Sequence, residues 1–300
     1  MKKFWLDPEF QSSYRYAKEL TREYARSFYF AARFLPEKTR WATYSVYGLC
    51  RYADNIVDKP RNRNKESVLE ELGNFQKELV QAYTSGESMN PVISAFVKSS
   101  ELYGIPQKYA LELIKGVEMD MSITRYKTFD DLYLFCYRVA SVVGLMMTYV
   151  LGFRDEEARA YAEKLGIAMQ LTNILRDIDE DMEMGRIYIP EEEYKSYGLT
   201  EQDFYNRNFN DNFRELMKFQ VDRAARYYRE AEPGINLLKN ESQFAIYAAS
   251  RIYGGILNKI EENDYNPFEG RVFVPHSKKV RILGNEFFRL KAQNFMSNFT

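Results

Sequence analysis

Two short acidic motifs, about 120 residues apart, constrain this chain more than anything else in it. The first is Asp54-Asn55-Ile56-Val57-Asp58 and the second is Asp177-Ile178-Asp179-Glu180-Asp181. A helix turns once in about 3.6 residues, so positions i and i+4 share a face. Each motif therefore sets two aspartates on one side of a helix. Two such pairs facing each other across a cavity make a cage for hard divalent cations, the counter-ions that a diphosphate leaving group requires. Bringing them together calls for long helices packed around a common centre.

The remaining sequence can supply those helices. Hydrophobic spacing is helical nearly throughout, strand-like alternation is scarce, and 15 Gly and 9 Pro are few for 300 residues. Asp7-Pro8 reads as a helix start. Pro36-Glu37-Lys38 opens a helix that carries the first motif and stops at the basic loop from Lys59 to Lys65. Further helices are expected over about 67–83, from a cap at Thr128 to about 151, over about 156–184 with the second motif, and over roughly 207–231 and 241–263. Gly185-Arg186-Ile187-Tyr188-Ile189-Pro190 ends the helix of the second motif. No repeat or linker interrupts the chain. The expectation is one all-α domain over residues 1–300, with tails at about 1–10 and 281–300.

Composition removes several function classes. A net charge of −1 offers nothing to nucleic acid. His276 is the single histidine, which excludes His-rich metal sites and argues against a Ser-His-Asp triad. Cys50 and Cys136 lie in apolar segments and read as reduced core residues of a cytoplasmic protein. The N-terminus becomes charged too early for a signal peptide. No run of 18 apolar residues occurs, and the richest, Val139 to Leu151, is too short to span a bilayer. The 24 Tyr and 21 Phe serve either plain core packing or an aromatic-lined apolar cavity. No Gly-x-Gly-x-x-Gly follows a strand, so no nicotinamide motif is present.

On a continuous helix Gln170, Asn173, Asp177 and Asp181 stay within a sector of roughly 80°, flanked by Leu171, Ile174, Leu175 and Ile178. Tyr47, Arg51, Asp54 and Asp58 form a second stripe. Arg51 is either half of an intrahelical ion pair or a bidentate grip on diphosphate oxygens. Aspartates at i and i+4 are common, so one pair alone says little. Two pairs, each among apolar neighbours, point to Mg²⁺, which takes oxygen ligands and shares them with substrate phosphates. Without a metal, clustered carboxylates would repel one another.

At these residues the chain resembles the squalene and phytoene synthase family, over about residues 15–280. Ser27-Phe28 is similar to an early family signature, and Tyr47 to Asp58 resembles its first aspartate-rich motif. Tyr137 to Gly144 resembles the helix that faces the substrate. Gln170 to Asp181, followed by Gly185 to Pro190, resembles the second motif closely. Val143 to Met147 and the Gly185–Pro190 run look most like the bacterial-type phytoene synthase branch. Two departures are Ser141, where Gly is expected, and Asn55, where a third Asp is frequent.

The resemblance implies an all-α isoprenoid-synthase fold with a central apolar cavity. It implies Mg²⁺, with Mn²⁺ able to substitute, and two prenyl diphosphates joined head to head. The substrate would be geranylgeranyl diphosphate with no NADPH needed, or farnesyl diphosphate in the alternative. Asp54, Asp58, Asp177 and Asp181 would bind the metal, with Asn173 as a further oxygen ligand. Arg51, Arg176 and Arg271 would hold diphosphate oxygens, although Arg176 could simply pair along its own helix and Arg271 could be a surface charge. Tyr47, Tyr137, Tyr188 and Tyr253 would donate to diphosphate or face carbocations; each is otherwise a core residue. Ser27, Phe28, Val139, Ala140 and Gln170 would meet substrate. Val143, Leu145 and Met169 are further candidates for the cavity lining.

Head-to-tail elongation or cyclisation on similar helices fits the Gln170/Asn173 phase less well. A non-catalytic scaffold would have lost an aspartate. A hydrocarbon product makes peripheral membrane contact reasonable, with Lys2, Lys3, Phe4 and Trp5 as a candidate interfacial anchor. Nothing in the sequence fixes the oligomeric state.

Overall fold

The structure, a computed structural model, describes residues 3–58 and 64–297, excepting the side chains of Ser27, Asp58 and residues 291–297. Among the described residues the regular structure is helical. In chain order the helices are α1 (Gln11–Tyr24), α2 (Arg26–Ala32), α3 (Glu37–Asp58), α4 (Lys65–Ser85), α5 (Pro91–Tyr103), α6 (Gln107–Ser122), α7 (Phe129–Cys136) and α8 (Val142–Leu151). There follow α9 (Ala158–Arg176), α10 (Ile178–Glu183), α11 (Glu191–Ser196), α12 (Glu201–Tyr205), α13 (Asp211–Ala231), α14 (Asn240–Glu262) and α15 (His276–Ser297). The starts are chemically marked. Asn64 and Asn90 accept hydrogen bonds from the Ser67 and Val92 amides, and Thr128 and Asp131 form a reciprocal capping box.

Apolar side chains gather in two cores. One is built around α1, α3, α5, α6 and α8, with Leu49, Ile93, Phe96, Leu113 and Met146 buried. The other lies around α7, α9 and α13, with Ile167, Leu171, Phe213 and Leu216 buried. Tyr137 packs against both. It begins a one-turn π-helix, Tyr137–Ser141, between α7 and α8. Such turns widen a helix locally and often mark functional sites. Two glycines let neighbouring helices close on this turn. A Cβ on Gly116 of α6 would lie 2.8 Å from the Arg138 Cβ, and one on Gly166 of α9 would lie 2.4 Å from the Ser141 Cα.

Several expectations need correcting. The helix expected over 156–184 breaks at Asp177, whose backbone (φ −108°, ψ 14°) leaves the helical region and separates α9 from α10. The first α-helix starts at Gln11, after a 3-10 turn at Phe4–Leu6, and not at Asp7-Pro8. The described parts of the tails are structured: Phe4, Trp5 and Phe10 are buried, and α15 packs on α14. Phe4 and Trp5 therefore cannot serve as a free anchor; Trp5 stacks on Trp41 with ring centroids 6.4 Å apart. Lys2 and Lys59 to Arg63 lie outside the described residues. The apolar run 139–151 is part of a longer helical segment that also holds Asp130, Asp131 and Arg138. Phe129–Leu151 has 23 residues and passes for a membrane span by length and composition. Its chain neighbours α3, α6 and α9 cover it, so it is a core segment of the fold.

Candidate active site between the two acidic helices

A cavity of about 200 Å³ opens where the two cores meet. Asp54 and Val57 of α3, Val117 and Asp120 of α6, Phe135 of α7, Val139 of the π-turn, Gln170 of α9 and Tyr188 line it. The expected cavity was apolar. This one has carboxylates and an amide among its walls, with Val57, Val117, Phe135 and Val139 forming the apolar part.

Tyr47, Arg51 and Asp54 of the first stripe lie on the unbroken α3. Phe28 of α2 stacks on Tyr47, ring centroids 5.5 Å apart. The Arg51 guanidinium lies 4.2 Å above the Tyr24 ring. Burial pushes the Tyr47 phenol well above its ordinary pKa; the nearby Arg51 charge opposes this, and Asp54 and Tyr253 add to it. Tyr47, Arg51, Asp54 and Tyr253 thus form one electrostatic neighbourhood. Side chains of Ser27 and Asp58 are outside the described residues.

The second stripe is rearranged by the break at Asp177. Gln170 reaches the cavity, and the Asn173 amide stands 3.5 Å from the Gln170 Oε1. Asp177 is turned into a clamp of arginines. Arg176 donates to its two oxygens at 2.7 and 2.6 Å, and Arg271 approaches them at 3.0 and 3.2 Å. Arg271 also meets Glu180 at 3.2 Å; it is an exposed arginine paired with two acids of the second motif. Both readings of Arg176 survive: it pairs on its own helix, and it does so beside the site.

Asp181 does not line the main cavity. It faces a small void with Arg186, Ile187 and Tyr188. Burial, then the charges of Asp177 and Asp120, push its carboxyl up to about 7, against the pull of Arg186. Among the described residues, no three acidic, Cys or His side chains enclose a point where an ion could sit. The side chain of Asp58, one of the four aspartates expected to make the cage, lies outside the described residues, so the described side chains are only part of that set. The continuous-helix stripe behind that expectation ends at Asp177.

Tyr188 is the pivot of the site. Its ring packs against Tyr126 (5.7 Å) and Phe135 (5.2 Å), which also meet each other at 5.5 Å, and its hydroxyl donates to Asp120 Oδ1 at 2.5 Å. Arg186 approaches the other Asp120 oxygen at 3.3 Å. The strand-like register of Ile187, whose amide donates to the Thr124 carbonyl at 3.1 Å, fixes this segment against the loop before α7. Tyr137 and Ala140 are half-buried on the π-turn. Tyr253 is half-buried on α14.

Residues 21–278 match the squalene/phytoene synthase family. The chain belongs to this family. It is 36% identical over 285 residues to a 15-cis-phytoene synthase of Synechocystis sp., covering 91% of this chain and 84% of that protein. It is 37% identical over 284 residues to a phytoene synthase of Arthrospira platensis, covering 90% and 91%. The fold resembles a crystal structure of a dehydrosqualene synthase in complex with ligand (TM-score 0.86, 28% identity, 95% of this chain and 98% of that one). It also resembles squalene synthase HpnC from Alicyclobacillus acidocaldarius (TM-score 0.81, 26% identity, 89% and 99%).

The two departures from the family pattern have structural reasons. Ser141 is fully buried and its hydroxyl donates to the Glu163 carbonyl at 2.8 Å. The close approach that a glycine would allow is provided from the facing helix, by Gly166. Asn55 is buried, and its Oδ1 has no hydrogen-bond partner among the described residues. An aspartate there would bury a charge at greater cost.

Sequence reasoning missed Asp120. The signal was available: Leu113 and Val117 are buried on one face of α6, and Asp120 continues that face at i+7. An acid on an apolar stripe is a candidate functional group.

Proposed function

We propose that this protein is a Mg²⁺-dependent prenyltransferase that joins two geranylgeranyl diphosphates head to head (1-1′). The reaction passes through a cyclopropylcarbinyl diphosphate to phytoene, releases two diphosphates, and is the first committed step of carotenoid biosynthesis. The carrying observation is 36% identity to a 15-cis-phytoene synthase over 91% of the chain. The same chemistry on farnesyl diphosphate, giving dehydrosqualene or squalene, is the second reading. It is favoured only by the solved neighbours, at 28% and 26% identity.

Asp54, Asp58, Asn173, Asp177 and Asp181 would hold Mg²⁺. The donor set fits in kind: all the donors are oxygens, and the Asp181 carboxyl, raised first by burial, is raised further by the Asp177 and Asp120 charges that a cation would offset. Bound there, the metal supplies charge neutralisation for the departing diphosphate. The protein's own groups do the rest. Arg51, Arg176 and Arg271 bring positive charge to the same end of the site, where planar guanidinium groups suit phosphate oxygens. A diphosphate that competes for both Arg176 and Arg271 would release Asp177 from its clamp. Tyr47, Tyr137 and Tyr253 offer ring faces and hydroxyls beside the reacting carbons. Val57, Phe135 and Val139 exclude the water that would quench a carbocation. A cytoplasmic setting with peripheral membrane contact suits such substrates.

The test is incubation of the purified protein with Mg²⁺ and either C20 or C15 substrate, with and without NADPH, followed by mass identification of the hydrocarbon. Phytoene from the C20 substrate, without reductant and abolished by chelation, is the expected result. A C30 product would move the function to the second reading.

A further inference from the structure

Helix α2 has two differently used faces. Phe28 turns inward onto Tyr47. Phe30, and Phe34 just beyond the helix, lie on the outside, 40% and 47% exposed. They start a continuous run of phenyl rings across three elements. Phe30 meets Phe34 at 5.7 Å, Phe34 meets Phe244 of α14 at 4.9 Å, Phe244 meets Phe287 of α15 at 6.3 Å, and Phe287 meets Phe288 at 5.8 Å. Phe287 and Phe288 are 48% and 72% exposed. Tyr126, Phe135 and Tyr188 are buried, while other exposed aromatic residues such as Tyr16, Tyr205 and Phe273 lie outside this run. A contiguous exposed phenyl surface is not needed for folding and marks a surface that meets something apolar.

Two of the three segments carrying these rings, those of α2 and α15, are basic, whereas α14 has Glu241, Glu261 and Glu262 against Arg251 and Lys259. Between Tyr24 and Pro36 the charged residues are Arg26 and Arg33, both exposed, and no acid occurs. Helix α15 contains Lys278, Lys279, Arg281, Arg289 and Lys291 against one acid, Glu286. Glu286 is buried and already paired, with Arg289 at 2.7 Å and Arg251 at 3.4 Å.

We infer that the α2–α14–α15 face seats this protein on an anionic bilayer. The phenyl rings enter the headgroup boundary while the arginines and lysines meet lipid phosphates. A second copy of the chain suits the face poorly, because a two-fold interface sets each patch against itself and opposes like charges. The position also makes sense. Helix α2 carries both Phe28, stacked on Tyr47, and the exposed Phe30, so at that point a polyprenyl tail has one helix to pass between bilayer and site. Only this direction of traffic rests on the proposed function; the lipid contact itself does not.

The test is flotation of the full-length protein with phosphatidylcholine vesicles, with and without phosphatidylglycerol. The variants are Phe34→Ser/Phe288→Ser and Arg26→Glu/Arg33→Glu, each checked for an unchanged melting curve. Wild type should float with the anionic vesicles, and less so in high salt. Each double variant should bind roughly tenfold more weakly while keeping its turnover in detergent micelles. Equal flotation of wild type and variants would overturn the inference. So would a wild type that ignores anionic vesicles, or a dimer in ultracentrifugation that the substitutions split without any vesicle binding. Flotation reads the surface without turnover. A wild type that floats but makes no hydrocarbon therefore supports this surface and counts against the proposed reaction.

Discussion

Gly166→Ala is the most informative single substitution. It adds one methyl group where α9 crosses the π-turn. The new Cβ would sit 2.4 Å from the Ser141 Cα and 2.7 Å from its amide nitrogen, whereas ordinary contact begins near 3.4 Å. Both obstacles are backbone, so no side chain can swing aside. The helix and the turn must part by about 1 Å, judged against ordinary packing. Overpacking of this kind costs about 3 kcal/mol. For a chain of this length that corresponds to a fall in Tm of about 5 °C. Gln170 sits one turn further along α9 and Val139 is on the π-turn, so both cavity walls move. A misplacement of about 1 Å should lower kcat roughly a hundredfold. Gly73→Ala is the matched control. Nothing lies within 4 Å of its Cβ position in the middle of α4. There the same substitution should raise stability by about 0.5–1 kcal/mol and leave turnover alone. Scanning calorimetry and single-turnover product analysis on the two variants decide the matter. A Gly166→Ala protein with wild-type Tm and rate would refute the claim that α9 and the π-turn are held at contact distance.

Asp120→Asn removes the charge from the Tyr188 hydrogen bond and should slow turnover roughly ten- to hundredfold. If Asp120 acts through Tyr188, adding Tyr188→Phe should cost little more, and fully additive losses would contradict that link. The folded pKa of Asp181, about 7, lies above its unfolded value of 3.8. Its contribution to stability is therefore complete below about pH 4 and is lost as pH rises through 7. The metal-free protein should lose about 2–4 kcal/mol from this group across that window. Asp181→Asn should flatten the corresponding part of a Tm–pH curve, and a wild-type curve already flat there would count against the buried carboxyl. Glu193 and Arg223 form a buried pair, with Gln220 donating to Glu193 at 2.5 Å and the Arg223 guanidinium 3.8 Å above Phe129. Arg223→Ala should cost about 3–5 kcal/mol in a denaturant titration while leaving the rate per folded molecule unchanged.

Local spacing made much of this molecule legible, and it failed where tertiary contacts take over from local rules. Tyr47, Arg51 and Asp54 lie on an unbroken α3, so a count of residues per turn placed them correctly relative to one another. The same count was applied to Gln170, Asn173, Asp177 and Asp181, and it held only as far as Asn173. Arg176 and Arg271 converge on Asp177 just where its backbone leaves the helix, and Arg271 arrives from 94 residues away. No periodicity within 158–184 could register it. Tyr188 shows the same division. Its motif was visible, but its partner Asp120 is 68 residues earlier on another helix. Phe4 and Trp5 were misassigned because terminal aromatics beside lysines look alike whether they meet lipid or Trp41. The exposed aromatic face was dispersed over residues 30–288, in segments that each read as ordinary amphipathic helix. Residues that act together along one helix can be found by counting. Those brought together by the chain's return, as Asp120 and Arg271 are here, become visible only once the helices are packed.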